Sequence, residues 1–105
     1  MVRKTDLKVV EEFKNRLMKK LKNLNIILFG SRATGKFSED SDFDLIVVSD
    51  DFRNTDLIKR CGLIYDDWDY SFAADFICYT PEEFNKMKKR VSIVSEALKE
   101  GVIVG

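Results

Sequence analysis

Apolar side chains return at Leu7, Val10, Phe13, Leu17, Leu21 and Leu24. That spacing predicts an amphipathic helix over residues 6–24, with one face turned to a core. Asn25 interrupts the pattern. Ile26-Ile27-Leu28-Phe29 follows, a short β-favouring run closed by Gly30, and predicts a strand. Residues 31–41 are polar, contain Gly35, Ser38 and Ser41, and read as a loop with room for a helical turn at its start. Residues 43–49, FDLIVVS, are apolar at successive positions, not at alternate ones, which predicts a strand covered on both faces at the centre of a sheet. A helix is expected over 52–65 through Leu57, Ile58, Leu63 and Ile64, with Gly62 weakening it. The segment DDWDYS reads as an irregular join and FAADFICY, 72–79, as a third central strand. Thr80-Pro81-Glu82-Glu83 is a helix start, with Thr as N-cap, Pro at the first position and Glu three after the cap. The helix it opens runs through Phe84 and Met87 towards Arg90. Residues 91–100 predict a further helix stopped by Gly101, and Val102-Ile103-Val104 a short edge strand.

Helices thus interleave with short strands, and the fold class expected is α/β (α+β): a small mixed β-sheet of three to four strands flanked by helices. With 105 residues, the chain is expected to form a single domain, 1–105, around one modest core. Apolar residues make up 45% and charged residues 34%, which suits a water-soluble protein. There is no run of eighteen apolar residues to cross a membrane, and MVRKTDLK lacks the apolar stretch of a signal peptide, so a cytoplasmic location is the default expectation.

Charge is zero overall but uneven. Residues 1–23 hold eight Lys/Arg against three acids, a balance of +5, whereas residues 37–75 hold eleven acids against three bases, a balance of −8. The basic helix reads first as a solvated face. An acidic middle with one local basic cluster suits a cation site better than a nucleic-acid groove. Histidine is absent, which excludes Ser-His-Asp and Cys-His catalysis and His-containing zinc sites. Acid–base or metal chemistry must rest on carboxylates. Cys61 and Cys78 have no close-paired spacing and read as small apolar residues.

Asp42 and Asp44 stand at the entrance of the most apolar strand. Side chains at i and i+2 of a strand share a face about 6.5–7 Å apart, so the two carboxylates aim the same way. Asp75 interrupts another strand among Ala73, Ala74, Phe76 and Ile77, where Asp is disfavoured. Three converging carboxylates repel one another and tend to hold their protons; divalent cations remove that cost. Mg²⁺ is typically held by one or two carboxylates plus substrate phosphates, and paired ions bridge the attacking and leaving oxygens of an in-line displacement. Asp75 is then placed to take the proton of an acceptor or to orient it. Upstream, Gly30-Ser31 follows a strand directly: the glycine admits a phosphate close to the backbone, and the serine adds a donor. Arg32 and Lys36 can offset polyphosphate charge. Glu39-Asp40 and Asp50-Asp51 read as solvated turns without chemistry. Taken singly, each feature is common in turns; their order and spacing carry the case.

Gly30-Ser31, ten residues, then Asp42-Phe43-Asp44 resembles the GSx10DxD signature of the nucleotidyltransferase superfamily that includes DNA polymerase beta. The surrounding GSRATGKFSEDSDFDL, with ADFICYTPEEF around Asp75, is similar to the minimal (MNT-type) nucleotidyltransferases, over residues 10–104. The resemblance implies the nucleotidyltransferase fold, with Asp42, Asp44 and Asp75 as catalytic and metal-binding residues for two Mg²⁺ ions. It also implies Gly30, Ser31 and Arg32 as the nucleotide-binding residues and ATP as substrate. Minimal nucleotidyltransferases often pair with a helical HEPN toxin ribonuclease, as antitoxins that add AMP to a toxin tyrosine, so a HEPN-type partner is implied as well. Two alternatives remain. One is an antitoxin that neutralises its partner by binding alone; the other is a transferase acting on a small molecule or RNA, against which the small surface argues. Trp68, Tyr65, Tyr70 and Phe72 cluster around one loop, as core packing or as a partner or self-association surface.

Overall fold

A computed structural model describes residues 2–35, 41–69, 71–90 and 98–104. Helix α1 spans Lys4–Leu17 and strand β1 Asn25–Phe29. The one-turn helix α2, Gly30–Thr34, follows directly, and then β2, Phe43–Val48. Helix α3 covers Leu57–Ile64, β3 Ala74–Tyr79, α4 Pro81–Lys88 and β4 Val102–Val104. Short 3-10 turns at Asp50–Phe52 and Tyr65–Asp67 flank α3. Residues 98–100 are helical; the rest of the further helix expected over 91–100 lies outside the described residues. Among the described residues no helix is long and apolar enough to cross a membrane.

The four strands form one mixed sheet in the order β3-β2-β1-β4. Strand β1 pairs antiparallel with β2 and with β4, whereas β2 and β3 run parallel. Alternation along β2 divides the interior in two. Phe43, Leu45 and Val47 face a cluster with Val10, Phe13 and Leu17 of α1, Ile64 of α3, and Trp68. Ile46 and Val48, with Ile27, face the opposite side, where Ile77, Tyr79, Phe84 and Met87 pack on them. Strand β2 is therefore apolar on both sides because helices cover both sides, as its unbroken apolar run predicts.

Three expectations need correction. The first helix ends at Leu17, not at residue 24: its last amides close turns onto Lys14, Arg16 and Leu17 carbonyls, and Asn23 adopts a positive φ of 51°. Leu21 still reaches the core cluster and Leu24 packs against it from the connection, which is why the apolar spacing outlasts the helix. The helix expected over 52–65 is confined to Leu57–Ile64. Its inward residues are Arg60 and Ile64, while Leu57, Ile58 and Leu63 are exposed. Finally, β3 is an edge strand, not a central one. Its outer carbonyls are taken by α3 side chains: the Arg60 guanidinium donates to the Cys78 carbonyl at 3.2 Å, and the Cys61 thiol approaches that of Phe76 at 3.7 Å. Helix α3 thus shields an edge that would otherwise invite pairing.

The aromatic cluster is largely interior. Trp68 is buried and meets Phe13 and Phe43 edge-on at 5.0 and 5.2 Å, with its indole N–H donating to the Phe72 carbonyl at 2.8 Å. Phe72 is half-buried and Tyr65 exposed, and Tyr70 lies outside the described residues.

Candidate active site

The parallel pairing of β2 with β3 sets Asp44 directly beside Asp75. Neighbouring strands lie about 4.8 Å apart, and Asp42 precedes Asp44 by two residues, so all three carboxylates gather at the N-terminal ends of these strands. They lie on the face carrying Ile46 and Val48. Asp42 and Asp75 are exposed and Asp44 half-buried. Asp44 registers the crowding: its carboxyl is held above the ordinary range, first by burial, then by the charges of Asp75 and Asp42.

Gly30 closes the other side. It ends β1 and opens α2 with φ at +72°, a conformation glycine adopts without steric cost. A Cβ there would overlap the Oδ2 oxygen of Asp44 and stand 3.2 Å from its Cγ. Only a bare backbone fits against that carboxylate, so the glycine of the Gly30-Ser31 turn and the second aspartate are one geometric unit. Ser31 is half-buried in α2, where its carbonyl accepts from the Thr34 hydroxyl at 3.0 Å. Lys36 lies outside the described residues.

Arg32 is not brought together with this group. It is buried, and its guanidinium sits 4.2 Å from the centre of the Phe43 ring, on the α1 side of the sheet. There Nη1 meets Asp6 Oδ1 at 3.0 Å, and Nε donates to the Ser41 carbonyl at 2.8 Å. Asp6 is missing from the sequence reading, yet its signal was present: Asp6, Val10, Phe13 and Leu17 recur at spacings of four, three and four and form the buried stripe of α1. Arg60 was missed too. Beyond its contact with Cys78 it donates to the Thr55 carbonyl at 2.9 Å and to Glu83 Oε1 at 2.6 Å. Glu83 also closes the capping box with Thr80 at the start of α4, so one guanidinium ties α3, the end of β3 and α4 together.

The carboxylates suit a divalent cation in charge and kind. Among the described residues no group of three His, Cys, Asp or Glu side chains is arranged to hold a metal ion by itself. An Mg²⁺ ion does not require one, since it draws on one or two carboxylates, water and substrate phosphates. The fit rests on Asp44, whose carboxyl is held above its ordinary range first by burial and then by Asp75 and Asp42; a cation at that carboxylate would offset this cost.

Comparison with known proteins gives the family and the fold. The family described as "Nucleotidyltransferase domain" matches residues 10–104. A protein of Methanocaldococcus jannaschii, provisionally named a protein adenylyltransferase, is 36% identical over 101 residues, covering 92% of this chain and 95% of its own. A crystal structure from Sulfolobus solfataricus, provisionally titled a nucleotidyltransferase, superposes with a TM-score of 0.64 over 92% of this chain and 77% of its own, at 20% identity. It shares the fold.

Proposed function

The chain belongs to the nucleotidyltransferase domain family, and on that premise we propose that it transfers AMP from ATP to a hydroxyl of a partner protein, a tyrosine of a HEPN-type toxin, as the antitoxin of the pair. The observation that carries the reading is the adjacency of Asp44 and Asp75 across β2 and β3, with Asp42 on the same face and Gly30 against Asp44. The name given to the Methanocaldococcus jannaschii relative supports a protein acceptor.

In this reading the Gly30-Ser31 turn receives the nucleotide phosphates, where the bare backbone lets them approach. Asp42 and Asp44 would hold Mg²⁺, which when bound offsets phosphate charge and orients the displacement. Asp75, exposed beside Asp44, takes the proton of the acceptor hydroxyl. The acceptor oxygen forms a bond to the α-phosphorus, the bond to the bridging oxygen breaks, and pyrophosphate leaves. Asp42 and Asp75 are exposed at the ends of their strands, so a protein side chain can reach them.

The test incubates the protein with α-labelled ATP, Mg²⁺ and a cognate HEPN protein. Label is expected on a partner tyrosine, and its loss with Asp42→Asn/Asp44→Asn. No transfer by wild type, or equal transfer by the double variant, overturns the proposal.

A further inference from the structure

Arg32 and Asp6 stand behind the site, not in it. Arg32 follows the Gly30-Ser31 turn by one residue, and Ser41, whose carbonyl it holds, precedes Asp42 by one. One guanidinium therefore joins the two halves of the motif across the intervening loop. Its place is fixed from two sides: Phe43 lies under its plane at 4.2 Å, and Asp6 neutralises it from α1 with both side chains over nine-tenths buried. The planar fork of Arg can serve an anion and a carbonyl at once; a lysine ammonium cannot hold that geometry.

A buried ion pair is a poor source of stability, because desolvation consumes most of the attraction. This one is also incomplete, since the second Asp6 oxygen is buried without a hydrogen-bond partner among the described residues. An apolar pair would fill the space at less cost. What the pair achieves is position. We propose that Arg32, held by Asp6, is a positioning residue: it pins Ser41, and so sets the distance between the phosphate-binding turn and the aspartates Asp42 and Asp44, without touching nucleotide. This rests on the reading of the site given above.

Asp6→Asn, Arg32→Lys and the double variant decide it, with two readouts. The first is amide hydrogen exchange in the free protein, which needs neither metal nor nucleotide. Exchange over residues 41–44 should quicken about tenfold in each single variant, while residues 45–48 of β2 stay as protected as in wild type. The second is steady-state transfer. A misplacement of the order of an ångström costs about 100-fold in rate, so kcat should fall by about that factor with KM for ATP changed less than about twofold. The double variant should be no worse than the more severe single one, because the pair acts as a unit.

Unchanged exchange at 41–44 in Asp6→Asn overturns the inference. So does a rise in KM for ATP in Arg32→Lys with kcat and exchange intact, which marks Arg32 as a phosphate ligand. Equal acceleration at 41–44 and 45–48 marks a global role and overturns it too. If Arg32→Lys does not fold, Asp6→Asn, nearly isosteric, decides alone. If wild type transfers no label, the reading of the site fails, and the exchange data still decide whether Arg32 positions the strand entrance.

Discussion

Asp44 of β2 and Asp75 of β3 are register partners in a parallel pair, so two residues far apart in the chain hold their carboxylates side by side. The cost is visible on Asp44, whose carboxyl is raised by burial and then by its two acidic neighbours.

The raised value sets a pH dependence. Folding favours the protonated form of Asp44, a stabilisation fully present below the ordinary value of 3.8 and lost as pH rises through the raised one. Near neutrality the charged group destabilises the metal-free protein. Asp44→Asn is expected to raise Tm by about 2 °C at pH 7 in the presence of a chelator, a modest gain because the group is half-exposed. The advantage over wild type should shrink at pH 3.5. Scanning calorimetry at the two pH values checks it, and an equal difference at both refutes it.

Gly30→Ala should fail on two counts, a left-handed backbone and an overlap with Asp44. A loss of about 1–2 kcal/mol is expected from the conformation alone. Transfer activity should fall by more than the loss of folded protein, since the methyl group displaces the carboxylate. Chemical denaturation and label transfer, normalised to folded protein, measure both.

Gly62→Ala should do the reverse. A Cβ there meets nothing within 4 Å, and the residue lies within α3. A gain of about 0.5–1 kcal/mol is expected, with transfer unchanged; no rise in Tm would show that α3 is not limited by its glycine.

The cysteines should differ in reactivity. Cys78 is buried and Cys61 half-buried, with sulfurs 3.9 Å apart. Burial, and then Cys61, push the Cys78 thiol well above its ordinary value. Iodoacetamide at pH 8 should label Cys61 first and Cys78 only in denaturant. Mass spectrometry of the two peptides reads this directly; equal rates in the native protein would contradict it.

Much of this was legible in the sequence because it is local. The unbroken apolar run of β2 announced a strand covered on both faces, Thr80 to Glu83 announced α4, and the spacing of Gly30-Ser31 from Asp42 and Asp44 marked residues of which Gly30 and Asp44 meet. What stayed hidden depends on tertiary partners. Leu57, Ile58 and Leu63 look like core residues, yet α3 turns Arg60 and Ile64 inward, because the edge carbonyl of Cys78 needs a donor there. Asp6 carries no local mark of its partner, because Arg32 meets it from 26 residues away. Arg32 itself follows the Gly30-Ser31 turn in sequence but crosses to the far face of the sheet, which spacing alone cannot show.

The mixed sheet also grades its contacts by their reach along the chain. Gly30 to Asp44 spans a 15-residue window, and the antiparallel β1–β2 pair that holds it is local. Asp75 joins it through the parallel pairing of β3 across the crossover through α3, a less local contact that closes a longer loop. A chain in which that edge strand is open thus holds the Gly30-Ser31 turn and two aspartates but not the third. If transfer needs Asp75, as proposed, the return of activity on refolding would time the docking of β3.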